Sequence, residues 1–252
     1  MAWTTPRTWV VNEVLTAALL NTHVRDNLLE LAPDVAWWKV VQGFIEGGNY
    51  RLAAQLGAAH AGTYATGDEV GLGFEAVIQG ATGAISGTVS GQEGRWNFST
   101  GTTNPTDVGV RGPAVLASHD WTFIFRGVLE SEAGASILIG GIPQGTSFAD
   151  ANNLIAWRVA GTGTIVGVCD NAATETTRDT SVTPNGSTVH TLRIEVRSGG
   201  TIVRFYRNNV QVGADVTTNI NTAAMMLAAG VRGVGTDHDM YVEDVSAWRE
   251  NP

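Results

Sequence analysis

Cleaving a glycosidic bond takes two carboxylates facing each other across it, and on a β-strand that requires acidic residues at even spacing, as in Glu-x-Asp-x-x-Glu. No such run occurs in the 252 residues. The nearest clusters are Asp68-Glu69, Glu130 with Glu132, and Glu243-Asp244. Ser131 and Gly134 place Glu130 and Glu132 at a solvated strand end rather than in a cleft. Asp237-His238-Asp239 looks most like a metal motif, since carboxylates two apart on a strand point the same way and hard oxygens suit calcium. The simpler expectation is a polar loop leading into the last strand, with Asp237 and Asp239 as the candidate ligands. Ser118-His119-Asp120 holds the residue types of a catalytic triad, yet consecutive residues point apart, so a turn before Trp121 is expected. No Gly-x-Ser-x-Gly elbow, phosphate loop or dinucleotide fingerprint occurs, and no enzyme activity or cofactor is expected. Cys169 is the single cysteine, which excludes an intrachain disulfide and reads as a small buried hydrophobe.

Sugar rings are also recognised by stacking on aromatic faces, and the chain has eight tryptophans. Trp121, Trp157 and Trp248 sit inside strand patterns and are expected in the core. Trp96, between Arg95 and Asn97 in a polar stretch, is the candidate for an exposed glycan-stacking residue.

The elements that would position these residues are mostly strands. Leu192-Arg193-Ile194-Glu195-Val196-Arg197 alternates apolar and charged, the period of a strand with one face in a core and one in water. Ser198-Gly199-Gly200 breaks the run, Ile202 to Arg207 forms a second strand, and Asn208-Asn209 before Val210-Gln211-Val212 suits a tight hairpin. Further short runs lie at Trp37 to Val41, Val70 to Ile78, Ala84 to Val89, Trp121 to Leu129, Ser136 to Ile139, Leu154 to Val159, Thr164 to Cys169, Met225 to Ala229 and Met240 to Trp248. Met225 to Ala229 could form a helical turn, but its flanking strands favour a strand. More than ten strands with glycine between them predict an all-β, two-sheet antiparallel sandwich over residues 37–252.

Residues 1–36 differ in kind. Thr16 is a good N-cap, and Ala17, Leu20, Val24, Leu28 and Leu31 recur at helical spacing until Pro33, which predicts one N-terminal α-helix over residues 17–31. A helix this short is marginal alone in water, so its stripe must dock on its own sandwich, on copies of itself or on a larger assembly. Trp3 and Trp9 flank an extended Thr-Thr-Pro-Arg-Thr segment and look like anchors. Together, Trp3, Trp9, Leu20, Val24, Leu28 and Leu31 are the candidate attachment or oligomer interface.

A net charge of −9 argues against a nucleic-acid partner, which needs clustered Lys and Arg. No basic-then-apolar leader and no apolar run of ~20 residues are visible, so neither secretion nor membrane insertion is expected.

Two stretches resemble known families. His190 to Val196, Val203-Arg204-Phe205-Tyr206-Arg207-Asn208-Asn209-Val210-Gln211-Val212 and Tyr241-Val242-Glu243-Asp244-Val245 resemble the closing strands of concanavalin A-like (laminin G-like) jelly rolls. Asn209 stands where family members often have glycine, a departure the left-handed tolerance of Asn accommodates. Trp3 to Trp9 with Glu13 to Leu28 resembles an N-terminal module that opens many tailed-bacteriophage virion proteins. The resemblance implies a non-enzymatic structural protein at the virion surface, a fibre, spike or capsid decoration. Its first ~35 residues would bind other virion proteins or trimerise, and its jelly roll would face outward, toward host-surface glycan. The rival reading is a free carbohydrate-binding or glycan-cleaving jelly roll with the helix as a cap.

Overall fold

The computed structural model describes residues 49–53, 66, 69–71, 74–87, 95–102, 105–116, 118–130, 132–143, 147–148, 152–172 and 174–249, all within the compact unit Gly48–Pro252. The expected helix over 17–31, the strand over 37–41 and the boundary near Pro33 lie outside the described residues.

The described strands are β1 Asn49–Ala53, β2 Glu69–Gly71, β3 Phe74–Gln79, β4 Ala84–Gly87, β5 Trp96–Ser99, β6 Thr106–Val115, β7 Trp121–Leu129, β8 Ser136–Pro143, β9 Ile155–Ala160, β10 Val166–Asp170, β11 Glu175–Asp179, β12 Val189–Arg197, β13 Ile202–Arg207, β14 Val210–Gln211, β15 Met225–Gly233 and β16 Asp239–Arg249. They form two antiparallel sheets. The first runs β14-β13-β12-β7-β16-β5-β4, with β1 also paired to β16; the second runs β11-β10-β9-β8-β15-β6-β3-β2.

Strict alternation decides which side of each strand enters the core. In β12 His190, Leu192, Ile194 and Val196 are buried while the residues between them are partly exposed. Trp121, Phe123 and Phe125 of β7 join them from the same sheet, and Phe74, Ile137, Ile139 and Trp157 meet them from the other. Trp157 of β9 and Phe205 of β13 bridge the layers edge to face, with ring centroids 5.1 Å apart. Gly167 of β10 gives that phenyl ring its space, because a Cβ there would lie 2.5 Å from Phe205 Cγ. Cys169 is buried in this core, as expected, and desolvation pushes its thiol up to about 12.

The hairpin between β13 and β14 turns on Asn208 and Asn209 with φ of 50° and 66°, the left-handed pair a two-residue turn requires. Met225 to Ala229 is a strand and continues to Gly233. Val70 to Ile78 is two strands rather than one. The sequence reading missed β6, whose Thr-Asp-Val-Gly-Val-Arg-Gly-Pro-Ala-Val looks like a loop. It nevertheless lies between β15 and β3. Pro113 is tolerated because the β15–β6 register shifts there, Met226 pairing Ala114 and Ala228 pairing Arg111, so the ladder does not need its missing N–H.

Candidate functional site

The outward face of the first sheet carries an ordered lattice of charges. Arg193, Glu195 and Arg197 are the outward alternates of β12. Glu195 Oε1 lies 3.3 Å from Arg193 Nε and its Oε2 3.5 Å from Arg197 Nη2. The Arg193 guanidinium sits 4.0 Å over the Tyr206 ring, its register partner on β13. Arg197 also donates to Thr122 Oγ1 of β7 at 2.9 Å. A second triplet forms across β16, where the register with β7 shifts between Val242 and Asp244 and so inserts Glu243 as an extra residue. Glu243 accepts from Arg95 Nε at 2.9 Å and pairs with Arg126 Nε at 2.7 Å. Arg204 and Asp215 add a pair at 3.0 Å, which holds the Asp215 carboxyl below its ordinary range.

The second sheet's outward face is closed instead. Val77, Leu138, Ile142, Ala156, Val168 and Ala228 form an apolar floor there, covered by Phe148 and Leu154. The Phe148 amide donates to Asp107 Oδ1 at 2.7 Å, and Arg232 reaches Ser147 Oγ at 2.6 Å and Asp107 at 3.7 Å. Glu175 on this sheet takes a two-pronged bond from Arg158, both arms 2.8 Å.

Acidic residues gather at one end of the sandwich, just beyond β7 and at the start of β16. Asp237 accepts from Ser99 Oγ and the Gly101 amide, both at 2.7 Å. Asp239 accepts from Tyr241 at 3.2 Å, and Glu130 lies 3.4 Å from the Asp239 amide. Buried His238 places Nδ1 3.2 Å from Glu132. Burial raises the Glu130 and Asp239 carboxyls, and their acidic neighbours add to both shifts. The Tyr241 phenol is pushed up to about 12, chiefly by burial and then by Asp239.

Several expectations meet this geometry directly. Trp96 is buried, not exposed: it points inward beside Phe98 on β5, opposite Val242, while Asn97 is an outward alternate of the strand and Arg95 immediately precedes it. Trp121 and Trp157 are core, whereas Trp248 is half-buried on the outward side, because Val245 and Ala247 take the inward positions of β16. Asp237 and Asp239 both spend oxygens on donors of the protein itself, and among the described residues no group of three or more His, Cys, Asp or Glu side chains is assembled to hold a metal ion. Ser118-His119-Asp120 is a turn whose carboxylate accepts from the Ser198 and Gly199 amides. Trp3, Trp9, Leu20, Val24, Leu28 and Leu31 lie outside the described residues. The Arg-Glu-Arg lattice was missed, although its signal, Arg193-x-Glu195-x-Arg197 on one strand face, is plain in the sequence.

No family model matches the chain, and no curated protein matches it. Solved structures do resemble it. The carbohydrate recognition domain of Emp47p superposes with a TM-score of 0.51 at 10% identity, covering 80% of this chain and 96% of that one. The β-glucanase of Bacillus licheniformis gives 0.50 at 9% identity, over 81% and 99%. A protein of unknown function from Shewanella oneidensis MR-1 gives 0.50 at 10% identity, over 80% and 86%. The fold they share with this chain is an antiparallel two-sheet jelly roll, found in both a carbohydrate recognition domain and a glucanase. At such identities the likeness is one of fold, and a jelly roll shared by a recognition domain and a hydrolase leaves function to the site.

Proposed function

We propose that this chain recognises glycan without cleaving it, as a virion surface protein of a tailed bacteriophage whose first 36 residues attach it to other virion proteins and assemble it as a trimer. The observation that carries recognition over cleavage is the fate of the carboxylates on the sheet faces. Glu195, Glu243, Asp215 and Glu175 are each tied to arginine, and Asp107 is sealed under Phe148. A carboxylate whose oxygens are taken up by a guanidinium is poorly placed to reach a glycosidic oxygen, and cleavage needs two carboxyls free to face the bond. The virion assignment is supported by the Trp3 to Trp9 and Glu13 to Leu28 pattern.

A glycan-cleaving reading has one observation in its favour: Glu130 and Asp239 are carboxyls with raised pKa at a shared sandwich end. A polysaccharide panel at pH 5 to 7 separates the two, with reducing-sugar release and binding measured on the same samples. Binding without release is expected. Turnover abolished by Glu130→Gln or Asp239→Asn would establish the cleaving reading instead.

A further inference from the structure

The glycan that the proposed recognition role requires has a chemistry the first sheet can specify. In each Arg-Glu-Arg triplet the carboxylate is the least exposed member. Glu195 is 14% exposed beneath Arg193 at 28% and Arg197 at 21%. Glu243 is 19% exposed beneath Arg95 at 21% and Arg126 at 58%. Arginine is thus the more exposed partner in both triplets, by a wide margin only at Arg126; Asp244, opposite Arg126 in the register, brings the two triplets to four arginines against three carboxylates, and Asp239 is a further outward acid of β16. The full chain has the opposite balance, 24 acidic residues against 15 basic ones.

Fixed guanidinium groups are well suited to anions. The planar fork matches carboxylate and sulfate, and an arginine already held by a neighbouring acid or stacked on an aromatic ring loses little entropy when it binds. Arg193 is stacked on Tyr206, and Arg126 is tied through Nε. The two residues stand on the adjacent strands β12 and β7, with Arg193 opposite Ile124 and Arg126 opposite Thr191. Such diagonal neighbours lie roughly 7–8 Å apart. Half-buried Trp248 of β16, opposite Thr122, adds aromatic surface to the same face.

We propose that the outward face of the first sheet binds an anionic polysaccharide, carboxylated or sulfated, across strands β16, β7 and β12, with Arg126 and Arg193 as its principal contacts. This rests on the recognition reading above, and the test separates the two. The full chain is titrated against alginate, dextran sulfate, neutral dextran, a neutral β-glucan and duplex DNA at low and moderate salt. Binding to alginate or dextran sulfate that weakens with salt is expected, and whichever of the two binds tells carboxylate from sulfate. Arg126→Ala and Arg193→Ala should each weaken it about tenfold. Arg158→Ala, on the other sheet, should leave it unchanged, and unaltered circular dichroism of each variant excludes unfolding as the cause. Binding to a neutral glycan alone would overturn the anion assignment while leaving recognition intact. Absence of binding to every polysaccharide would overturn both. Equal binding of duplex DNA would mark the face as a general polyanion surface and also overturn the proposal, as would Arg126 and Arg193 variants that bind like the parent.

Discussion

Phe148 lies against Gly230, so close that a Cβ on Gly230 would come within 2.3 Å of its ring. Gly109, the register partner of Gly230, makes the same allowance at 2.5 Å. Two strands of the second sheet have thus given up side chains at one spot to seat one phenyl ring, and the apolar floor beneath it is closed to water.

Gly230→Ala should therefore destabilise the protein by about 1–3 kcal/mol through overpacking. Phe148→Ala should cost about 3–5 kcal/mol by removing a fully buried ring. The double variant should cost less than the sum, because the ring that the new methyl group strikes is gone. Urea midpoints of the four proteins measure the coupling, and additive losses would show that the ring does not rest on the glycine.

Between about pH 4 and pH 7, stability should respond to two kinds of group in opposite senses. His190 is buried with Nε2 lacking a hydrogen-bond partner, and burial followed by Arg207 lowers its pKa from the ordinary 6.5. The unfolded chain then binds a proton that the native one refuses, so stability falls as pH drops from 6.5 through the lower native value. His190→Gln should flatten that acid limb. Equal midpoints for parent and variant at pH 7, with unequal loss between pH 6.5 and 5, is the expected result.

Glu130 and Asp239 should act in the reverse sense. Their native pKa values stand above the ordinary 4.5 and 3.8, so the folded protein holds protons that the unfolded chain releases. Their contribution is present at low pH and is lost as pH rises from those ordinary values through the raised native ones. Glu130→Gln should raise stability at neutral pH and shrink the difference between pH 4 and pH 7. A variant less stable than the parent at pH 7 would show that Glu130 is needed ionised.

The sandwich was legible wherever one strand face was apolar and the other polar, as in Leu192 to Arg197, because period two survives without knowledge of the partner strand. It failed where packing, not composition, makes the strand. The glycines of β6 look like loop until Phe148 and Phe74 are seen to occupy the space above Gly109 and Gly112. Trp96 failed for a related reason. Polar residues on both sides suggest exposure, whereas on a strand they are what an inward-facing residue has when the other face is wet. The β12 triplet is a local pattern, but the second triplet depends on an extra residue in β16 that turns Glu243 toward Arg95, a sequence distance of 148 that no local pattern discloses.

The last prediction is that attachment and display separate along the chain near Pro33. Before it lie two tryptophans and the stripe Leu20, Val24, Leu28 and Leu31, more apolar surface than some 35 residues can bury alone. After it lies the whole described sandwich, with its own core of Trp121, Phe123, Phe125 and Trp157. Replacing Leu20 and Val24 by Asp puts charge on the stripe and should cost several kcal/mol wherever that face is buried. The jelly roll should stay folded by circular dichroism while the protein no longer co-sediments with particles. The full chain should scatter light as a trimer, and a chain beginning at Asp34 should be a soluble monomer with nearly unchanged thermal unfolding. If that truncated chain unfolds, the N-terminal stripe belongs to the sandwich core and the attachment reading fails; if the charged variant still joins the particle, attachment uses another surface.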